Sequence, residues 1–292
     1  FVGVVTDSTH FELVDINRSA VSTTGGAQNQ TITFFGGQDA NNTAVGYLAG
    51  AAVSTGIKNT LVGSLAGDAL NTGSNNVASG YSSLSATTVG SDNVAIGKDA
   101  LETNVLGSAS IAIGSLALED QVPTSTGNMY NIAIGHHAGK QIITATGNVI
   151  IGGLAGDALT TGSSSVAVGN GALGGETAQG GNTAVGALAL AVQNGGSLNT
   201  AIGNNAGDVI STGDNNTLLG AGAGDNLNTG SNNTLIGASS GDVLAGGSNN
   251  TCIGRDTTFA GAGDSSCIII GESVTGLGSS STVIGTTGTT NA

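Results

Sequence analysis

Tryptophan is absent from this chain of 292 residues, proline occurs once, at Pro123, and aromatic residues make up 3%. A globular enzyme of that length normally fills its core with bulky side chains. A stacked repeat needs few of them, because each turn buries only a thin strip. Glycine is abundant, at 52 residues, but glycine without proline is not the three-residue pattern of collagen. Basic residues are scarce too: Arg18, Lys58, Lys98, Lys140 and Arg255 stand against 19 acidic ones, for a net charge of −14. That balance disfavours nucleic acid, whose phosphates need clustered Lys and Arg, and anionic membranes repel it. Cys252 and Cys267 are the only cysteines, which is no disulfide framework. No apolar run is long enough to encode a membrane span. No signal peptide is visible, and a start at Phe1 rather than Met predicts a processed product or a piece of something longer.

What is there is a repeat. Its unit is Asn-Thr-Ala-Ile-Gly and variants, with marker glycines running from Gly46 to Gly285. Successive markers are 17 residues apart, except for a step of 21 from Gly114 to Gly135 and one of 14 from Gly271 to Gly285. Phe34-Phe35-Gly36 resembles a degenerate first copy. With the marker glycine as position 5, position 4 is aliphatic in all fifteen copies but one, Ser79, and position 2 is always Thr, Val or Ile. Positions 2 and 4 share one face of a strand, and β-branched residues suit that setting. The expectation is that this face makes the core. Seven copies carry Gly at position 9 and an aliphatic at position 12, as in Gly67/Leu70 and Gly207/Ile210. Five others carry Leu at position 9 (Leu84, Leu101, Leu118, Leu173, Leu190) and a polar residue at position 12. The patterns exclude each other, so the second wall of each turn takes one large aliphatic from either of two places, as a narrow core of constant volume requires.

The predicted fold is all-β: a parallel β-solenoid of about sixteen turns of 17 residues, each with two short strands and two bends. Strands stacked at ~4.8 Å would make a rod of ~75 Å. Residues 33–285 form the repeat domain, 1–32 a cap or the end of a preceding domain, and 286–292 a tail or link. Position 1 is Asn in eleven copies, and stacked amides predict a hydrogen-bonded ladder, with a carbohydrate-binding row as the alternative. Position 3 is mostly small and apolar, as in Ala44, Ala95, Ala112, Ala133, Ala167, Ala184 and Ala201, and grows to Leu218, Leu235, Cys252, Ile269 and Val283 in later copies. A strand apolar on both faces should be covered on both, so position 3 is expected at contacts between chains.

The blocks Asn93-Val94-Ala95-Ile96-Gly97 and Ser165-Val166-Ala167-Val168-Gly169 resemble the head repeat of trimeric autotransporter adhesins and are similar to repeats in trimeric tail fibres of bacterial viruses. The resemblance covers roughly residues 33–285. It implies a left-handed β-roll, a homotrimer, and an extracellular place on a bacterial surface or virion, with a host-cell receptor, matrix protein or surface glycan as partner. The family's head repeat is usually shorter than this one.

Chemistry is not expected. Asp68, Asp157, Asp208, Asp225 and Asp242 recur at position 10; a turn-forming role fits better than calcium, because the nonapeptide calcium repeat is absent. Glycosidases need paired carboxylates in a cleft, which a periodic ladder of acids does not supply. His136 and His137 are too few ligands for a metal and should be solvent-exposed. Cys252 and Cys267, ~8 Å apart at Cα, are beyond the usual reach of a disulfide; unpaired packing residues are expected, with an interchain bond as the alternative. The expectation is therefore no catalytic residue, cofactor or metal, and an adhesive or receptor-binding fibre module. The alternative is a structural filament or spacer without receptor specificity. Ice binding through Thr at position 2 is a third reading, disfavoured if that position faces the core. Because a repeat offers the same surface at every turn, partner contacts should come from what breaks it: the chain ends, or the insertion Gln121–Tyr130, including Val122, Pro123, Met129 and Tyr130.

Overall fold

A computed structural model describes residues 41–285, together with the backbone of two short strands, Val21–Ser22 and Thr31–Thr33. The expected first copy at Phe34–Gly36 and the tail 286–292 lie outside the described residues. The chain forms two compact units, Phe1–Met129 and Tyr130–Ala292. In each, positions 2–4 of every copy form a three-residue strand. The first unit has five of these, from Thr43–Val45 to Ile111–Ile113, and the second has ten, from Ile132–Ile134 to Thr282–Ile284. Within each unit, neighbouring copies pair parallel and in register, Thr60 with Val77 and Ala201 with Leu218 for example. Thr31–Thr33 lies antiparallel to Thr43–Val45, and Val21–Ser22 antiparallel to Thr31–Thr33. The fold is a parallel β-solenoid of about fourteen turns, with no helix among the described residues.

The faces are the reverse of the expectation. Position 3 is buried in every described copy, from Ala44 to Val283, whereas no residue at position 2 or 4 is buried. The core is lined by position 3, by a second small row at position 8 (Ala66, Ala100, Ala155, Ala206 among them), and by a large aliphatic from the opposite wall, which joins a second one where position 3 is Leu61, Ile150, Leu218 or Leu235. That aliphatic comes from position 9 or position 12, as the sequence predicts. Leu84, Leu101, Leu118, Leu173 and Leu190 are buried at position 9; Leu70, Ile142, Leu159, Ile210, Leu227 and Leu244 are buried at position 12, whereas the seventh, Val53, is only half-buried. The reason for the exclusion is steric. A Cβ on Gly207 would lie 2.5 Å from Leu218 and 3.0 Å from Ile210. Position 9 also has positive φ, +59° at Gly207 and +56° at Leu173. A leucine there accepts a left-handed backbone at about 1–2 kcal/mol, which burial of its side chain, about 1.5–3 kcal/mol, offsets. In the turns after Cys252, Phe259 and Val274 fill the core instead.

Outside the pair Gly107–Ser108 and Gly127–Asn128 at the insertion, only one strand forms per turn of the repeat, not two. The opposite wall is a run of turns that still bond from copy to copy, as in Gly67 N to Ser83 O, 2.9 Å, and Ala69 N to Ser85 O, 3.1 Å. The bends fall at positions 7 and 17, where the backbone is left-handed: Leu48, Leu65 and Asn205 at the first, Asn75, Asn215 and Asn232 at the second. Asn and Asp are among the residues that tolerate this region best, which explains their frequency at position 17.

Where Leu occupies position 9, the polar residue at position 12 is also buried, and it fastens the wall of turns. Asn104 Nδ2 donates to Gly107 O at 3.0 Å and its Oδ1 accepts from Gly107 N at 3.0 Å. Gln193 donates to Gly196 O, and Glu176 Oε1 accepts from the amides of Ala178, 3.0 Å, and Gln179, 2.8 Å.

The asparagines of position 1 form the expected ladder, inside the protein. Asn233 donates to Asn216 Oδ1, 3.1 Å, and to Gly247 O, 2.9 Å. Its own Oδ1 accepts from the backbone and side chain of Asn250, both at 3.0 Å. Buried and saturated, these amides leave nothing for a carbohydrate, which removes that alternative. Asn233→Ala should cost roughly 2–4 kcal/mol, because it strands buried groups on both neighbouring turns. Asn233→Ser should cost less, since Ser110 and Ser165 hold this position elsewhere. Denaturant unfolding of the two variants checks the order.

Candidate functional site

Strand geometry sends positions 2 and 4 to one side and position 3 to the other. In each unit the outward side is therefore a grid of Thr, Val, Ile and Leu, with Ser79 the one other residue and no charged residue at either position. Ile202 is 40% and Leu219 45% exposed, unusual for apolar side chains in parallel strands, whose two faces are normally both covered. In the second unit Thr183, Thr200, Thr217, Thr234 and Thr251 form an unbroken column beside Val185, Ile202, Leu219, Ile236 and Ile253. This face, not position 3, is the unpartnered apolar surface. The objection to ice binding, that position 2 points inward, falls with the reversal.

The insertion divides its four candidate residues. Val122 is 42% exposed, but Pro123 and Met129 point inward and are buried, so they offer no contact surface; that part of the expectation is corrected. Gly127–Asn128 pairs parallel with Gly107–Ser108, and Met129 N donates to Ser108 O at 2.9 Å. The exposed part of the excursion is Val122 and Thr124 to Asn128. Tyr130, 61% exposed, opens the second unit.

Of the acidic residues of position 10, Asp68, Asp157, Asp208 and Asp225 are half-buried and Asp242 is exposed. Burial raises the carboxyls of Asp68 and Asp208, while backbone amide hydrogen bonds pull them down, Asp68 by its own amide and that of Ala69. Burial raises Asp225 as well, followed by the charges of Asp242 and Asp208 on adjacent turns. Asn226 separates part of that repulsion, donating to Asp242 Oδ1 at 3.0 Å. Among the described residues no group of three His, Cys, Asp or Glu could hold a metal ion. His136 is exposed and stacks on half-buried His137, ring centroids 4.0 Å apart. Cys252 and Cys267 are free and buried, and burial pushes the Cys252 thiol up to about 12, which suppresses its nucleophilic thiolate. No helix of the described residues is long and apolar enough to cross a membrane.

The arrangement defines a repeat β-solenoid with one polar-capped interior and one apolar, uncharged outer face. No family model matches the chain, and no curated protein matches it significantly in sequence.

Proposed function

We propose that the chain is a non-catalytic, extracellular fibre module of a bacterial surface or virion, which associates through the outward strand face as a left-handed β-roll homotrimer and serves adhesion or receptor binding. The observation that supports this reading is the uncharged grid of Thr, Val, Ile and Leu at positions 2 and 4 on a chain of net charge −14. Two acidic copies repel one another everywhere except where charge is missing, and covering that face removes exposed aliphatic side chains from water at about 25 cal/mol per Å². Partner chemistry would lie elsewhere, on features that interrupt the repeat, such as Val122 and the tip Thr124–Asn128. Removing Thr124 to Gly127 should leave Gln121 and Met129 in place and preserve the fold. Cell-binding and glycan-array measurements on that deletion should show lost attachment; unchanged attachment rejects the loop as the contact.

Sedimentation or light scattering should give three chains per particle. A monomer would refute the assembly. It would instead favour the second reading, an ice-binding surface, which the outward threonine column supports and which an ice-growth assay tests. A trimer that binds no cell, matrix protein or glycan would indicate a structural spacer.

A further inference from the structure

Glu176 stands out among the titratable groups. It occupies position 12 of its turn and is fully shielded from solvent, although a carboxyl is almost never buried without a charged partner. Two backbone amides, of Ala178 and Gln179, serve its Oε1. Its Oε2 has no hydrogen-bond partner. Position 12 of the next turn is Gln193, equally shielded, whose Nε2 is used on Gly196 O and whose Oε1 also has no partner. The two turns are in register, Ala167 beside Ala184 and Leu173 N bonded to Ala189 O at 2.9 Å. Two acceptor oxygens are thus left over at equivalent places on adjacent turns. An unmet buried acceptor costs about 1–3 kcal/mol, and one proton between them satisfies both.

We propose that Glu176 is held as the neutral acid and donates its O–H to Gln193 Oε1, making the pair a proton-operated clasp on the wall segment from Gly174 to Gly181. That segment, Gly-Gly-Glu-Thr-Ala-Gln-Gly-Gly, has a glycine pair at each end; Thr177 O accepts from Thr160 N at 2.7 Å and Gly181 N donates to Ser163 O at 3.0 Å, and between these two ties the amides of Ala178 and Gln179 are held by Glu176. No charge opposes the neutral form. Glu176 is the only charged residue of its own turn, the following turn 182–198 has none, and the preceding turn 148–164 has only Asp157, an anion, whose Oδ1 lies near Gly174. Burial is the largest influence on the Glu176 carboxyl and raises it, against the amides of Gln179, Ala178 and Thr177, which lower it. A carboxyl raised in the folded chain contributes stability at acid pH that is lost as pH rises through its folded value. The clasp therefore closes in acid and loosens towards alkaline pH.

The chain has five glutamates, Glu12, Glu102, Glu119, Glu176 and Glu272, so side-chain carbon-13 labelling of glutamate gives five carboxyl signals, and the one lost in Glu176→Gln is assigned. On the intact chain that signal should titrate above the ordinary glutamate range. Gln193→Met removes the acceptor and should move the midpoint down. Amide exchange at Thr177 to Gly181, corrected for intrinsic rates, should quicken with rising pH in the parent and stay flat in Glu176→Gln, whose amide replaces the O–H as donor. A midpoint in the ordinary range overturns the proposal even if the variants fail to fold. A midpoint that stays put or rises in Gln193→Met shows that burial alone holds the proton, and overturns the clasp.

Discussion

Gly203→Ala is expected to unfold the turns around it, with a loss of several kcal/mol in thermal or denaturant unfolding. Two independent costs combine. Gly203 has φ +143°, a backbone region closed to residues with a side chain, at about 1–3 kcal/mol. A Cβ there would also sit 2.4 Å from Gly220 O and 2.5 Å from Gly220 C, backbone atoms that can retreat only by prying two turns apart. The same contact recurs within each unit, from Gly46 on Gly63 to Gly97 on Gly114 and from Gly135 on Gly152 to Gly254 on Gly271, so the copies are spaced by glycine resting on glycine. Gly147→Ala is the control. Its φ is +70°, but a Cβ meets nothing nearer than Ser164 Oγ at 3.9 Å. It should cost only about 1–2 kcal/mol, the left-handed penalty alone. Equal melting of the two variants would refute the stacking argument.

Ala201→Asp and Ile202→Asp, adjacent in sequence, should fail in different ways. Ala201 is fully buried in its chain's own core, and an unpaired carboxylate there should cost about 3–5 kcal/mol. The variant should lose strand signal in circular dichroism at temperatures where the parent is folded. Ile202 points outward, and a surface change of this kind alters the stability of a single chain by only about 0.5 kcal/mol. In the proposed trimer, however, it places three carboxylates in a dry apolar interface. Ile202→Asp should therefore remain folded and sediment as a monomer. If Ile202→Asp melts as badly as Ala201→Asp, the outward face belongs to the core; if it stays trimeric, the interface lies elsewhere.

The repeat, its constant period and the alternative aliphatic sites were legible because each copy tests the others, and the asparagine ladder followed from the same repetition. The assignment of faces was misread. Thr-Ala-Ile places larger, more apolar side chains at positions 2 and 4, and size suggested the core. A signal to the contrary was present in the repeat. Every Leu at position 9 stands opposite Ala at position 3 (Ala78 with Leu84, Ala184 with Leu190), whereas Leu61, Ile150, Leu218 and Leu235 at position 3 all stand with Gly at position 9. Positions that trade volume share a cavity, which placed position 3 inside. The row of small residues at position 8 offered the same hint. Glu176 was invisible as a buried group, since a lone glutamate in a glycine-rich bend reads as solvated until its turn is stacked between two others.

By itself the sequence determined that copies of one short unit stack as parallel strands, how far apart they recur, and how much volume each turn can hold, since those follow from period and composition. Which side of the strand is inside was decided only in three dimensions. Left-handed residues at positions 7 and 17 fold the chain back at both ends of the strand and put position 3 on the inner side, facing the small residue of position 8 and the aliphatic of position 9 or 12, so that positions 2 and 4 are left outside. The side chains of positions 2 and 4 were thereby turned outward, where none of them is buried.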